Sequence, residues 1–354
     1  MRHSSIPTMA LCLTLAGCGS RERSQSPRVS RIVVALNRTT CVVDRSVDGV
    51  RASCLDGRSL SISGRREADS PTAVLVPHHM RLCLLDRGAA WLACSNSSGS
   101  QPEPEGDVVD AAFGLTSRCT VSRAGALRCR TPGQGGTFMR ESILYTELHP
   151  SLEGTKPARR VASGTSHSCA LLAGGALRCW GDNVSGQVTG IRGDLVDLPA
   201  EPGVLAGREV VEVCATQAGT CARIRSAGAL CWGSLGSRPQ TFSTPDAVEI
   251  ACGRNAVCVR HTSGQVECAG LPDGTEGATG RTALVRELPS PPIGITVGIE
   301  HACADLGGGQ AHCWGRKADF GCGPGFGEGA PCLVAPASSA APEHSSRQLP
   351  APPP

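Results

Sequence analysis

The sequence predicts an all-β repeat protein of the propeller class, and three observations carry that prediction. Cysteines recur in pairs, most of them ten residues apart; a glycine stands inside most pairs; and no window sustains the apolar period of a helix. The pairs are Cys41/Cys54, Cys83/Cys94, Cys119/Cys129, Cys169/Cys179, Cys221/Cys231, Cys258/Cys268 and Cys303/Cys313. Their first members recur at intervals of 36 to 52 residues, with a mean near 44, which is the period of a propeller blade. Six or seven blades are expected, because the intervals of 36 and 37 residues are short for four full strands.

Composition bounds the function. The chain has 354 residues, of which 20 are Cys and 44 are Gly, with 3% aromatics. So many thiols exclude an ordinary reduced cytosolic enzyme, and 40% hydrophobic residues exclude a disordered chain. A net charge of +3 is too mild for a polyanion-binding surface, so no nucleic-acid partner is expected. The basic residues are Arg apart from Lys156 and Lys317, and they are scattered along the chain.

At the amino terminus, Arg2 and His3 form a basic region and residues 6–16 a short apolar one. That run is too short to span a bilayer, which takes roughly 20 residues, and has the length of a signal-peptide core. Leu15-Ala16-Gly17-Cys18 follows and resembles the bacterial lipobox. The resemblance implies cleavage before Cys18 and acylation (diacylglycerol and palmitate) of that residue. Residues 1–17 are therefore expected to be a lipoprotein signal peptide, and 18–28 an acylated Cys and polar tether. Gly19 and Ser20 carry no Asp to suggest inner-membrane retention, so the outer membrane is the expected destination.

The blades follow. In the paired segments CTVSRAGALRC, CALLAGGALRC, CVRHTSGQVEC and CADLGGGQAHC, a glycine lies six residues after the first Cys: Gly125, Gly175, Gly264 and Gly309. Gly228 sits one place later in its copy. Glycine supplies the positive φ of a tight hairpin turn. The flanking runs become antiparallel strands whose opposed cysteines lie within reach of a disulfide. A further strand is expected upstream of the hairpins, at 31–36, 72–76, 108–113, 208–213, 247–251 and 293–299.

The best copy, residues 159–190, resembles a regulator of chromosome condensation repeat through His167, Cys169, Ala170, Leu171, Cys179, Trp180, Gly181, Asn183, Gly186 and Gln187. Cys231-Trp232-Gly233, and His301, Cys303, Cys313, Trp314 and Gly315, repeat parts of the pattern. The resemblance spans roughly 29–334, strongest in copies four, five and seven, and implies a seven-bladed β-propeller. Relatives include a nuclear nucleotide-exchange factor and a secreted enzyme inhibitor, so the resemblance implies a fold more than an activity. In a propeller the first strands line the channel, which makes a blade-to-blade Cys214–Cys252 disulfide an expectation. Cys322 and Cys332 bracket a Gly/Pro loop and are expected to close it.

The search for chemistry is mostly negative. No Walker loop, His-Glu-x-x-His or Gly-x-Ser-x-Gly stretch occurs, and Tyr145 is the sole tyrosine. Zinc ligands come two to four residues apart, unlike these cysteine pairs, so His167 and His301 are read as packing or hydrogen-bonding residues. No cofactor, metal or catalytic residue is expected. His78-His79 is read as a surface turn. The inserts at 131–157 and 186–207 are candidate specificity loops; the first carries Phe138, Met139, Ile143, Leu144 and Tyr145, a candidate partner-binding group or an outer blade strand. Residues 335–354 are Pro/Ala/Ser-rich and expected to be disordered. The expectation is a monomeric envelope lipoprotein whose propeller binds an envelope or extracellular protein or other macromolecule without catalysis. The alternative is a polysaccharide-active lyase or hydrolase, which requires acid, His and Arg side chains converging at one channel mouth.

Overall fold

The computed structural model describes residues 30–36, 39–46, 49–54, 58–63, 73–76, 83–94, 105–115, 117–130, 146–147, 156–234, 240–242, 245–270, 283–285, 288–307, 310–315 and 332–333. Cys18, His78-His79, Gly309, Cys322 and the tail from 335 lie outside these residues, as do Phe138, Met139, Ile143, Leu144 and Tyr145 of the first insert.

The described residues form seven four-stranded antiparallel sheets, each built from four consecutive strands in simple up-and-down order. The ambiguity over six or seven blades is thereby resolved to seven. The first, channel-side strands are Ser30–Leu36, Ala73–Val76, Asp110–Phe113, Ala158–Ser163, Val210–Ala215, Ala247–Cys252 and Gly294–Val297, in blades one to seven. A hairpin follows each one, as in His167–Leu172 and Leu177–Gly181 of blade four, and a fourth strand closes the blade. The blades with intervals of 36 and 37 residues still carry a fourth strand, Glu105–Gly106 in blade two and Gln240–Phe242 in blade five. Both inserts supply outer strands: Thr146–Glu147 in blade three and Val196–Ala200 in blade four.

Register explains the cysteine spacing. Each pair stands directly opposite across its hairpin: Cys41↔Cys54, Cys83↔Cys94, Cys119↔Cys129, Cys169↔Cys179, Cys221↔Cys231, Cys258↔Cys268 and Cys303↔Cys313. All seven pairs are joined by disulfides, with Cα atoms 3.9–4.1 Å apart. The looser spacings of the first two blades leave the pairing intact: in blade one, where 13 residues separate Cys41 from Cys54, the paired strands run on to Ser46 and Gly49, and in blade two, where 11 separate Cys83 from Cys94, they end at Asp86 and Trp91. Gly125, Gly175 and Gly264 turn their hairpins at φ +83°, and Gly228 at +78°. Blade two lacks that glycine and uses one more residue. There the Asp86 carboxylate accepts the Gly88 and Ala89 N–H groups (2.9 and 3.1 Å), and Ala90 takes the positive φ.

Blade faces pack on one another, so the core is a series of interfaces. Between blades four and five, Leu171 and Leu177 meet Ala222, Ile224 and Trp232; between three and four, Val121 and Leu127 meet Val161 and Leu172. Half-cystines do much of the filling that aromatic side chains usually do: Cys41, Cys83, Cys119, Cys169, Cys221, Cys258 and Cys303 are all fully buried. Their partners on the third strands divide. Cys179, Cys231, Cys268 and Cys313 are buried as well, whereas Cys54, Cys94 and Cys129 are half-buried, one strand nearer the blade's outer edge. Among the described residues no helix is long and apolar enough to cross a membrane.

Candidate functional site

The first strands of the blades surround a cavity of about 500 Å³, the central channel, lined by residues of blades two to seven. Their ends define its two mouths. At one end, the loops after the first strands are stitched together by backbone hydrogen bonds. Thr165 N–H reaches the Gln217 carbonyl (2.9 Å), Gln217 N–H that of Arg254 (2.5 Å), and Arg254 N–H that of Gly298 (3.3 Å). The Arg254 guanidinium also donates to the Gln217 side-chain oxygen at 2.8 Å.

The other end is charged. Nine residues before the first paired cysteine of each blade stand Ile32, Val74, Asp110, Arg160, Glu212, Glu249 and Gly294, one per blade. The strand register makes these positions equivalent: Asp110 lies opposite Val121, Arg160 opposite Leu171, Glu212 opposite Arg223 and Glu249 opposite Arg260. In blades four to six the strand bulges immediately before this position, which re-aims the side chain.

Each acid at this level fastens its blade to the next. Asp110 Oδ2 accepts the Val161 N–H (2.8 Å), Glu212 Oε2 the Ile250 N–H (3.2 Å), and Glu249 Oε1 the Ile295 N–H (3.4 Å). Each also holds an arginine: Arg87 Nη2 on Asp110 (2.8 Å), Arg223 Nε on Glu212 (3.0 Å) and Arg260 Nε on Glu249 (2.7 Å). Burial raises the Glu212 carboxyl above the usual carboxylate range, opposed by Arg223. These carboxylates are occupied as inter-blade clips.

The histidines of the repeat motif have a parallel role. His167 Nε2 lies 3.0 Å from Thr220 Oγ1 of the next blade, and His301 Nε2 lies 3.4 Å from Thr40 Oγ1 where blade seven meets blade one. Asn183 and Gln187 hold the loop after the third strand of blade four. Asn183 Oδ1 accepts the Val188 and Thr189 N–H groups, and Gln187 Nε2 donates to Asp182. The Gln187 carbonyl then accepts from Thr220 Oγ1 (2.7 Å) and Trp232 Nε1 (3.0 Å) of blade five. The residues that make the motif recognisable thus hold neighbouring blades together. An imidazole–carboxylate pair does occur, His261 with Asp246 at 2.9 Å, but neither residue lines the channel.

Cys214 and Cys252 are joined across blades five and six, their Cα atoms 5.6 Å apart, and both line the channel. They are offset by one place: Cys214 lies opposite Cys221, whereas Ala251, not Cys252, lies opposite Cys258. The Cys221 sulfur is within 4.8 Å of both. All three sulfurs belong to disulfides, so none is a thiolate ligand as the chain stands.

The regulator of chromosome condensation (RCC1) repeat family matches residues 158–187, the strands and motif loop of blade four. The yeast protein Prp20p from Saccharomyces cerevisiae superposes with a TM-score of 0.59 over 89% of this chain and 88% of its own, at 14% identity. The fold is an RCC1-type β-propeller. Human WBSCR16 gives the same TM-score at 17% identity, covering 88% of this chain and 94% of its own. The ectodomain of the Physcomitrella patens receptor kinase CR4 gives 0.51 at 16% identity, covering 81% and 73%. No curated protein matches the sequence. In this RCC1-type propeller the match to the repeat family covers one blade, and the other six follow from topology.

Sequence reasoning identified His167, Asn183, Gln187, the seven hairpin cysteine pairs and Cys214–Cys252; the structure places His167 and Gln187 where blade four meets blade five, Asn183 inside the loop that Gln187 ends, the seven pairs across blade hairpins and Cys214–Cys252 between blades five and six. It missed the charged ring of Asp110, Arg160, Glu212 and Glu249. The signal was available as a fixed distance of nine residues from the first cysteine of each pair, concealed because the residue type changes from blade to blade.

Proposed function

We propose that this chain is a cell-envelope lipoprotein whose propeller is a non-catalytic scaffold for binding another protein. One observation supports the non-catalytic reading above the others. The channel carboxylates Asp110 and Glu212 are each bonded both to an arginine and to a backbone N–H of the adjacent blade. A hydrolase needs one carboxyl free to give up a proton and another free to attack or activate water. Binding is supported by analogy: Prp20p is described by its binding to Gsp1p and histones, and yeast RCC1 has been crystallised with Kap60. An extracytoplasmic setting is supported by the disulfides and by plant receptor-kinase ectodomains of similar fold.

In this reading residues 1–17 are removed, Cys18 is acylated, 18–28 tether the domain, 29–334 form the propeller and 335–354 trail from it. Cys332 stands opposite Cys313, which is bonded to Cys303; its pairing with Cys322 is part of the proposal. The anchor sits in the outer membrane and the protein acts as a monomer. Two experiments test the reading. Cys18→Ser should abolish palmitate incorporation and move the chain out of the membrane fraction; unchanged membrane attachment overturns the anchor. Cross-linking of the tagged full chain in intact envelopes should trap a stoichiometric protein partner. Turnover of envelope polysaccharide by the purified chain would overturn the non-catalytic reading.

A further inference from the structure

Blade four breaks the pattern of clips. Where blades three, five and six carry an acid, it carries Arg160. Opposite Arg160 stands Leu171, so it lacks the in-blade partner that Glu212 finds in Arg223 and Glu249 in Arg260. The acid it pairs with among the described residues is Asp110, and that carboxylate is already engaged. Asp110 Oδ1 accepts from Arg87 Nε and Nη2 (3.2 and 2.8 Å), and Oδ2 from the Val161 N–H (2.8 Å). Arg160 reaches the same Oδ1 only at 3.5 Å. Asp110 is 4% exposed, whereas Arg160 is 46% and Arg87 36% exposed, and all three line the channel.

Two arginines therefore share one buried carboxylate, and a guanidinium carries five N–H donors. With Glu212 matched by Arg223, this end of the cavity holds, among the described residues that line it, one positive charge more than its acids neutralise. The wall beside it is apolar, with Val74, Val213, Ile250 and Ile295 among its lining residues. We propose that Arg160, with Arg87 beside it, is the binding site for an oxyanion group, a carboxylate or a phosphate, on a small ligand whose apolar body lies in the channel. A planar carboxylate matches the guanidinium fork through two parallel N–H···O bonds, and a phosphate presents the same pair of acceptors.

The proposal rests on the reading of the propeller as a binding scaffold, but its test is separable because the probes are small ions. A chain that traps no protein partner can still pass it, and one that traps a partner can fail it. The full chain is titrated by calorimetry with benzoate and with phenyl phosphate, which distinguish a carboxylate site from a phosphate site. At least one should bind with a stoichiometry of one, and more weakly as NaCl rises. Arg160→Gln should weaken binding at least tenfold, about the loss of one charge-assisted contact. Arg160→Lys, which keeps the charge and loses the fork, should fall between the two and serves if the Gln variant does not fold. Arg192→Gln, at an exposed position outside the channel, should leave binding unchanged. Failure of both probes to bind at millimolar concentration, or binding that Arg160→Gln and Arg160→Lys leave intact, overturns the site.

Discussion

His167 joins blade four to blade five through Thr220, and its burial governs how that joint responds to acid. Desolvation lowers its pKa from 6.5 to about 4, although Asp182 nearby acts in the opposite direction. The folded state therefore keeps the ring neutral over a window in which the unfolded chain protonates it. The unfolded state binds more protons there, so this contribution is complete above about pH 6.5 and is lost as the pH falls towards about 4, a loss of roughly 3 kcal/mol. Burial lowers the pKa of His312 as well, which adds to the same trend. Urea denaturation of wild type and His167→Asn checks this. The stability advantage of wild type at neutral pH should shrink by about that amount at pH near 4. An advantage that does not change with pH would show that His167 is not buried in its neutral form.

At the scale of the blade, the glycine after each Cys-Trp pair decides whether the third strand can leave its sheet. Gly233 adopts φ +94°, and a Cβ there would stand 2.6 Å from the Ala218 carbonyl oxygen, which accepts the Ser234 N–H. Gly233→Ala should therefore lower the melting temperature by more than Gly207→Ala. Gly207 also has a positive φ, +72°, but nothing lies within 4 Å of its would-be Cβ, so only the left-handed backbone cost of about 1–2 kcal/mol applies. Equal melting shifts for the two variants would remove the steric explanation. Turns, hairpins and cysteine pairing were legible in the sequence because each is a local consequence of spacing and of glycine's permitted φ. The outer strands were less so: Glu105–Gly106 and Cys332–Leu333 are two residues long and carry no period to read. The channel ring was hidden for a different reason. Its members share a position and not a chemistry, so it becomes visible only when the blades are aligned on their cysteines.

At the scale of the molecule, every blade is made of four consecutive strands, and among the described residues no strand is exchanged between blades one and seven. The ring therefore closes by side-chain contact, with Thr40 Oγ1 lying 3.4 Å from His301 Nε2 and 4.0 Å from the Cys303 sulfur. After Trp314-Gly315 the sequence has Lys317 and Gly321 where blade four has Asn183 and Gln187, the residue through which blade four is tied to blade five. Hydrogen exchange should reveal the difference. Thr40→Val should speed exchange in Thr39–Ser46 and His301–Gly307 while leaving Gly219–Ile224 protected. Uniform acceleration around the ring would mean that the seam is no weaker than the other interfaces.

The disulfides give the backbone a second, covalent connectivity. Seven of them close loops inside single hairpins, and one, Cys214–Cys252, runs from blade to blade. A protease that cuts a hairpin turn between bonded cysteines leaves one covalent molecule, whose two ends remain linked through sulfur. A cut between two hairpins divides the chain in two, except from 215 to 251, where the Cys214–Cys252 bridge still spans the break. Blades five and six thus form the one neighbouring pair, among the described disulfides, that survives a cut in its linker as a single covalent unit.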